Sequence, residues 1–336
     1  METKNKTAYF EWLRLFAAAA VVLMHTEGSL WPAMVPQGRD FAVLTAYDAL
    51  VRWPVPVFVM ITGALFLPRK TELRTVLTRY IPRMAAAFLF WSAVYALRGG
   101  REGFLLRLVT GHYHLWYLPF LWGVYLTIPF LQRLAGEERL TRQLLWVSLA
   151  VGTALPWLAD LAALCFPAAG SILASIKNSL HYTFFFDLLA VVLLGHVLHT
   201  TELSRKQRHS LYALGIFGAV LTFPLTLWAS ARTGSPNAIF CQITAPTTLC
   251  AAAGLFVFAK HHLIRLPRPA AWLARRSFGI YLSHVLILEL LAELGIDALA
   301  ADPVWTVPVL AAAVFALSAL LTELLRRVPA IGNYLV

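Results

Sequence analysis

Residues 9–30 read YFEWLRLFAAAAVVLMHTEGSL, and this stretch decides the class of fold. It is long enough to cross a bilayer as a helix, because about 20 apolar residues span the hydrocarbon core. Lys4 and Lys6 precede it as in a signal peptide, but Glu11 and Arg14 lie inside it and no Ala-x-Ala cleavage site follows. The stretch therefore predicts a retained transmembrane helix.

The rest of the chain has the same apolar character. Of its 336 residues, 59% are hydrophobic and only 13% are charged, against about 25% charged in an ordinary soluble domain. The mean hydropathy is +0.68. These values predict an all-α fold, a polytopic membrane helix bundle of about ten transmembrane helices in a single domain over residues 1–336. The apolar runs cover residues 9–30, 51–67, 80–97, 115–132, 144–168, 182–198, 211–230, 238–259, 272–295 and 303–325.

The distribution of Lys and Arg predicts the orientation of this bundle. An N-terminus in the cytoplasm places most of the 28 Lys and Arg residues in cytoplasmic loops, as the positive-inside rule requires. Both termini are then cytoplasmic, and Arg39 and Arg52 fall in an outer loop. This asymmetry explains the net charge of +11 without a nucleic-acid partner. The predicted location is the inner membrane of the cell, with membrane lipids around a multi-pass protein.

Several common enzyme motifs are missing from the sequence. No Gly-Lys dipeptide, Gly-x-Gly-x-x-Gly or His-Glu-x-x-His occurs, which disfavours an ATP-driven pump in one chain, a dinucleotide enzyme and a zincin. The three cysteines have no ligand spacing. His196 and His199 lie three residues apart, but no carboxylate or cysteine is near them in the sequence. No metal site is therefore predicted.

Two titratable groups of the first helix point in the same direction. Arg14 and His25 are eleven residues apart, which is three helical turns plus about 20°, and their axial separation is about 16 Å. Ala17, Ala18 and Val21 line the stripe between them. Such a track suits a long anionic donor that enters from the cytoplasm. The alternative is that Arg14 extends to lipid headgroups beside Glu11 and that His25 forms an interhelical hydrogen bond.

The pair of Arg14 and His25, with ten residues between them, resembles the Arg-x10-His signature of acyltransferase family 3. These integral-membrane enzymes O-acylate surface glycans and lipids. The resemblance is closest to the short members, such as enterobacterial common antigen O-acetyltransferases. Thr62 stands where the family usually has Ser, and Pro82-Arg83 departs from its usual basic run. Further similar segments are Pro56-Val57-Phe58-Val59-Met60-Ile61-Thr62-Gly63-Ala64-Leu65-Phe66-Leu67, Arg79-Tyr80-Ile81-Pro82-Arg83, His114-Leu115-Trp116-Tyr117-Leu118 and Ser277-Phe278-Gly279-Ile280-Tyr281-Leu282-Ser283-His284.

The resemblance implies an acyl-CoA donor, acetyl-CoA above all, used as a substrate with no bound cofactor. It implies as acceptor a hydroxyl of a cell-surface or lipid-linked glycan. Attack by a hydroxyl needs a base, and imidazole suits this role, so His25 is the predicted general base. An acyl-histidine intermediate is the alternative route. Arg14 is expected to hold a donor phosphate or to fix a neighbouring carboxylate.

Further site residues are expected at the two faces of the membrane. Arg79, Arg83, Arg275 and Arg276 either gather the nucleotide phosphates of the donor or are ordinary positive-inside charges. On the outer side the third loop is unusually basic, which favours an anionic or pyrophosphate-linked glycan. That loop contains Arg98, Arg101, Arg107, His112 and His114.

Other residues are expected to contact the acceptor or to support the site. Trp116 and Tyr117 either stack on a sugar ring or belong to the interfacial aromatic belt. Asp187 is expected to face the bundle interior, and His284 to line the site. Glu289 and Glu293 share a helix face near its outer end, where they are expected to be solvated. A transporter or flippase of a lipid-linked sugar is the rival reading of the same buried charges.

Overall fold

The computed structural model describes residues 7–100, 102–166, 170, 172–173, 175–176, 188–329 and 332–336. These residues form helices and connecting turns without a β-strand, so the all-α prediction is confirmed for them. The α-helices of four or more residues are α1 (Ala8–Gly28), α2 (Gly38–Leu50), α3 (Pro54–Phe66), α4 (Ile81–Arg98), α5 (Phe104–Thr110), α6 (Tyr117–Ala135), α7 (Glu138–Ser148), α8 (Leu155–Cys165), α9 (Leu189–Thr200), α10 (Arg205–Thr233), α11 (Pro246–His262), α12 (Arg268–Ala274), α13 (Ser277–Glu293), α14 (Pro303–Arg326) and α15 (Gly332–Leu335).

Six helical segments of the described chain are long and apolar enough to cross a membrane. Each overlaps one of the predicted apolar runs. The other four runs coincide with α6, α9, α11 and α13, which are helical but shorter or less apolar. A count of ten spans and cytoplasmic termini therefore remain predictions. The six segments are Ala8–Ala33, Gly38–Phe66, Leu73–Arg98, Glu138–Cys165, Arg205–Thr233 and Pro303–Arg326.

The second of these segments is longer than the sequence predicted and is broken in the middle. It joins α2 to α3, and the helix is interrupted at residues 51–53. Pro54 has no N–H to donate to the carbonyl of Leu50, so the backbone ladder cannot continue there. The indole Nε1 of Trp53 donates to that carbonyl instead, at 3.0 Å. The break places Arg52 within the candidate span.

Close packing of small residues joins α3 to α9. A Cβ atom added at Gly63 would overlap the backbone carbonyl of Val192, and one added at Gly195 would overlap the backbone of Met60. Small residues allow helix backbones to approach closely in membrane proteins, where lipid provides no hydrophobic drive for association. This contact fixes α3, one of the helices that line the cavity described below.

Candidate active site

A cavity of about 400 Å³ lies beside α1, and we call it the Arg14 cavity. Arg14 and His25 both line it, so the structure brings together the two residues that the sequence singled out. Thr62 of α3, His114 of the turn before α6 and Tyr281 of α13 line other sides of the same cavity. Aromatic and aliphatic side chains form most of the remaining wall.

A second cavity of about 590 Å³, the Trp31 cavity, lies beyond His25 along α1. Its wall includes Trp31, Tyr113, Glu289 and Asp297. Among the residues described, the two walls have three side chains in common, and these belong to Met24, His25 and Arg52. The imidazole of His25 and the guanidinium of Arg52 therefore lie where the two cavities meet.

A short chain of hydrogen bonds determines the tautomer of His25. His284 of α13 places Nδ1 2.7 Å from the carbonyl oxygen of Tyr281, so this nitrogen carries a proton and donates it. The Nε2 atom of a neutral His284 is then an acceptor, and it lies 3.0 Å from Nδ1 of His25. The carbonyl oxygen of Val21 lies 3.0 Å from the same Nδ1. With two acceptors beside it, Nδ1 of His25 carries the proton and Nε2 keeps its lone pair.

Arg14 forms an ion pair with Glu11, one turn earlier on α1. About a third of each side chain is exposed, since both have a relative accessibility of 32%. The pair uses Nη1 of the guanidinium, and the described residues provide no hydrogen-bond partner for Nε and Nη2, which can bind a ligand in the cavity. Tyr117 and Tyr125 line the same cavity. The sequence left two alternatives for Arg14, a location beside Glu11 and a place in the site. In the structure Arg14 pairs with Glu11 and also lines the cavity.

Arg52 forms a buried polar cluster with two acidic residues. Its Nη2 atom pairs with Asp48, four residues earlier in the chain. Asp48 and Glu27 are both fully buried and lie near each other. Two acidic groups and one guanidinium therefore lie together inside the candidate spans.

A family model described as an acyltransferase domain, that of acyltransferase family 3, matches residues 7–323. The match covers nearly the whole chain. The chain belongs to acyltransferase family 3. No curated protein and no solved structure matches it at a significant level. The resemblance seen in the sequence is thus confirmed, and together with its apolar helices it makes this acyltransferase a multi-pass membrane protein.

The four arginines expected to gather donor phosphates do not share one environment. Arg276 is buried, pairs with Glu323 of α14, and donates to the carbonyl oxygen of Trp272 at 2.7 Å. Its guanidinium carbon also lies 3.6 Å from the centre of the Trp272 ring. These contacts use its hydrogen-bonding groups inside the protein, so phosphate binding by Arg276 stays a prediction that the structure does not favour. Arg79, Arg83 and Arg275 are exposed.

Arg98 and His112 of the basic third loop bond to glutamates of α13. Arg98 bonds to Glu289 at 3.3 Å and to Glu293 at 2.6 Å, and His112 bonds to Glu289 at 3.1 Å. Arg107 donates to backbone carbonyl groups of the same region. Arg98 and His112 therefore have partners within the protein, and the two partly exposed glutamates are bonded to them as well. Arg101 lies outside the described residues.

Three predicted acceptor contacts line the Arg14 cavity. His114 is buried, while Tyr117 is partly exposed and Trp116 is exposed. All three contribute to the wall that also contains Arg14. These three residues, predicted to contact the acceptor, therefore lie in the same cavity as Arg14, which was predicted to bind the donor. The aromatic residues Trp31 and Tyr113 line the Trp31 cavity instead.

The remaining predicted residues lie behind the cavities or outside the description. His284 is fully buried and supports His25 from α13, which corrects the expectation that it lines the site. His112 stacks on Tyr95, with ring centres 4.4 Å apart, and its Nδ1 lies 3.1 Å from Nδ1 of His114. Asp187 lies outside the described residues.

The sequence reasoning overlooked the cluster of Glu27, Asp48 and Arg52. Glu27 lies inside the first apolar run, and this was a usable signal, since ionisable residues within membrane spans are rare and often functional. Arg52 was assigned to an outer loop because it is the second residue of the predicted run 51–67. In the structure it lies at the break before Pro54, well inside the longer segment Gly38–Phe66.

Proposed function

We propose that this acyltransferase is a membrane O-acetyltransferase of the inner membrane. It moves an acetyl group from cytoplasmic acetyl-CoA to a hydroxyl of a cell-surface or lipid-linked glycan. The observation that carries the proposal is the position of His25 on the walls of both cavities, with Nε2 free to act as a base. Donor and acceptor then meet at one imidazole from two sides.

The Arg14 cavity is the proposed donor site. A volume of about 400 Å³ is near the low end of small-molecule sites, which span about 300–1,000 Å³. It suits a narrow chain such as an acetyl group on the pantetheine arm better than a whole coenzyme. The nucleotide then stays outside the cavity, with Arg14 holding an anionic group near the entrance. The exposed Arg79, Arg83 and Arg275 remain candidates for the phosphates.

The Trp31 cavity is the proposed acceptor site, and the part of its wall away from Arg52 suits a sugar ring. Glu289 and Asp297 provide acceptor oxygens for sugar hydroxyls, and Trp31 and Tyr113 provide aromatic surface. Because Arg98 and His112 are bonded to Glu289, they are not free to bind an anionic glycan. We therefore place a sugar ring, and not an anionic group of the glycan, beside Glu289.

In the direct route, Nε2 of His25 removes the proton of the acceptor hydroxyl while its oxygen attacks the thioester carbonyl carbon. A C–O bond forms, the C–S bond breaks, and the proton passes from His25 to the departing CoA sulfur. General-base catalysis of this kind contributes about 10² to 10⁴ in rate. In the alternative route Nε2 attacks the thioester carbonyl carbon, the C–S bond breaks, and CoA leaves as the thiolate. The sugar oxygen then attacks the acyl-histidine, the C–N bond breaks, and the hydroxyl proton passes to the CoA sulfur.

The proposal is tested with purified protein in proteoliposomes. Wild-type protein should bind acetyl-CoA and acetylate a glycan acceptor, whereas His25→Ala should insert normally and transfer nothing. His209→Ala is the matched control, since His209 is an exposed histidine of α10. Transfer by His25→Ala at the wild-type rate would remove His25 from the chemistry. Movement of a lipid-linked sugar without acetyl-CoA binding would instead favour a flippase.

The two routes differ in one measurable species. Wild-type protein mixed with radiolabelled acetyl-CoA and no acceptor should retain label on the protein only if an acyl-histidine forms. Mass analysis of surface glycans from cells with and without the protein then identifies the acceptor.

A further inference from the structure

The proposed donor and acceptor sites do not explain why a guanidinium, that of Arg52, lies between them. Its guanidinium lines both cavities beside His25, and only 24% of its side chain is exposed. The ion pair to Asp48 uses Nη2. The Nε atom is buried and has no hydrogen-bond partner within the described part of the chain. A guanidinium with unused N–H groups therefore lies at the point where the two proposed substrates meet.

The pair with Asp48 does not by itself account for this arginine. Placing a guanidinium and a carboxylate inside a membrane protein removes both from water, and their attraction often only offsets that penalty. Apolar residues of similar size would fill the same space without the penalty. An anionic group that appears at the junction during the reaction would give the free N–H groups a partner.

We propose that Arg52 stabilises the oxyanion of acyl transfer, an inference that rests on the proposed function. When the acceptor oxygen bonds to the thioester carbonyl carbon, the C=O electron pair moves onto the carbonyl oxygen. Arg52 donates hydrogen bonds to that oxygen while His25 holds the proton taken from the hydroxyl. The electron pair then re-forms C=O, the C–S bond breaks, and the CoA sulfur takes the proton from His25. Preorganised donors of this kind act only where charge develops.

Asp48 is a positioning residue in this arrangement. It is fully buried and fixes one terminal nitrogen of Arg52, which restricts the directions in which the other N–H groups point. Glu27 of α1 is also fully buried and lies near Asp48. The ion pair with Asp48 thus holds the donors of Arg52 in place before the reaction.

The test compares Arg52→Gln and Arg52→Lys with Arg39→Gln. Arg39 is the control, because it is an exposed arginine paired with Asp302 away from both cavities. Two quantities are measured in proteoliposomes: the transfer rate at saturating acetyl-CoA, and the affinity for a thioether analogue of acetyl-CoA that cannot react. Arg52→Gln should reduce the rate by about 10² to 10³ and leave the analogue affinity unchanged. Arg39→Gln should match the wild type in both.

Arg52→Lys keeps a positive charge that can pair with Asp48. It therefore tests the same role if Arg52→Gln fails to fold. A lysine has one nitrogen and cannot hold Asp48 and reach the carbonyl oxygen in the same geometry. It should be at least about tenfold slower, again with unchanged analogue affinity. Wild-type rates in a folded Arg52→Gln or in Arg52→Lys would overturn the inference.

The positioning role of Asp48 has its own readout. Asp48→Asn should lower the rate without changing the analogue affinity, and the double variant with Arg52→Gln should be no slower than Arg52→Gln alone. Additive losses would contradict action through Arg52. If wild-type protein binds no acetyl-CoA, the proposed function itself is wrong. If wild-type protein is active and Arg52→Gln is equally active, only the role of Arg52 is wrong.

Discussion

At the level of single residues, the partner of His25 comes from the far end of the chain. His284 accepts a hydrogen bond from Nδ1 of His25 and is itself held by the carbonyl oxygen of Tyr281. The carbonyl oxygen of Val21 is a second acceptor for the same proton. The free nitrogen of the proposed base thus depends on two acceptors, of which one is a side chain and can be removed by mutation.

We expect His284→Phe to slow transfer by about tenfold. The loss should be well below the roughly 10⁴ seen when a triad aspartate is replaced, because Val21 still accepts from Nδ1. Donor affinity should be unchanged, since His284 lies behind His25. Steady-state transfer and binding of the thioether analogue check this, with His209→Phe as the control. An unaltered rate in His284→Phe would show that His25 does not need this partner.

Substitution of Arg276 should affect the stability of the protein, whereas substitution of Arg83 should affect the binding of acetyl-CoA. Arg276 is buried and pairs with the partly exposed Glu323, so Arg276→Gln should lower the free energy of unfolding. Its affinity for acetyl-CoA should not change.

Exposed Arg83 should behave in the opposite way. Arg83→Gln should lower the affinity for acetyl-CoA and leave the free energy of unfolding unchanged. Unfolding in detergent and calorimetric titration check both, and a stable Arg276→Gln with weak donor binding would restore its predicted phosphate role.

At the level of elements, the contact between α3 and α9 depends on two glycines. Gly63→Ala should destabilise the protein by about 1–3 kcal/mol, because its new methyl group would overlap the Val192 carbonyl. Gly123→Ala is the matched control, since a Cβ there meets nothing within 4 Å. Ala favours a helix over Gly by about 1 kcal/mol, so the control should unfold no earlier than the wild type. Equal unfolding temperatures for the two variants would show that α3 and α9 are not tightly packed.

The helices themselves were largely readable from the sequence, but their interruptions were not. Apolar runs predicted α1, α10 and α14 because length and composition alone define a spanning helix. The break at residues 51–53 was missed because Gly38–Leu50 carries Arg39, Asp40 and Asp48, which made it less apolar than the run that follows. Its burial depends on neighbouring helices, and a hydropathy pattern contains no such information.

At the level of the whole molecule, the sequence predicted only those parts of the site whose residues lie on one helix. Arg14 and His25 share α1, so their common direction follows from helical geometry. His25 and His284 are separated by most of the chain, and no local pattern in a single sequence brings them together. The same reason explains Arg98, whose glutamate partners lie on α13. Charge counting along the chain therefore overestimated the free positive charge of the outer loop.

The orientation of the bundle is the last prediction, and it decides from which side the donor enters. Positive-inside placement puts the turn between α6 and α7 in the cytoplasm and the turn after α10 outside. In a background without native cysteines, we place one cysteine at exposed Glu137 or at exposed Ser235. A membrane-impermeant maleimide applied to spheroplasts should label Ser235→Cys and reach Glu137→Cys only after permeabilisation. The reverse pattern would place the Arg14 cavity on the side away from cytoplasmic acetyl-CoA, and the proposed direction of transfer would be wrong.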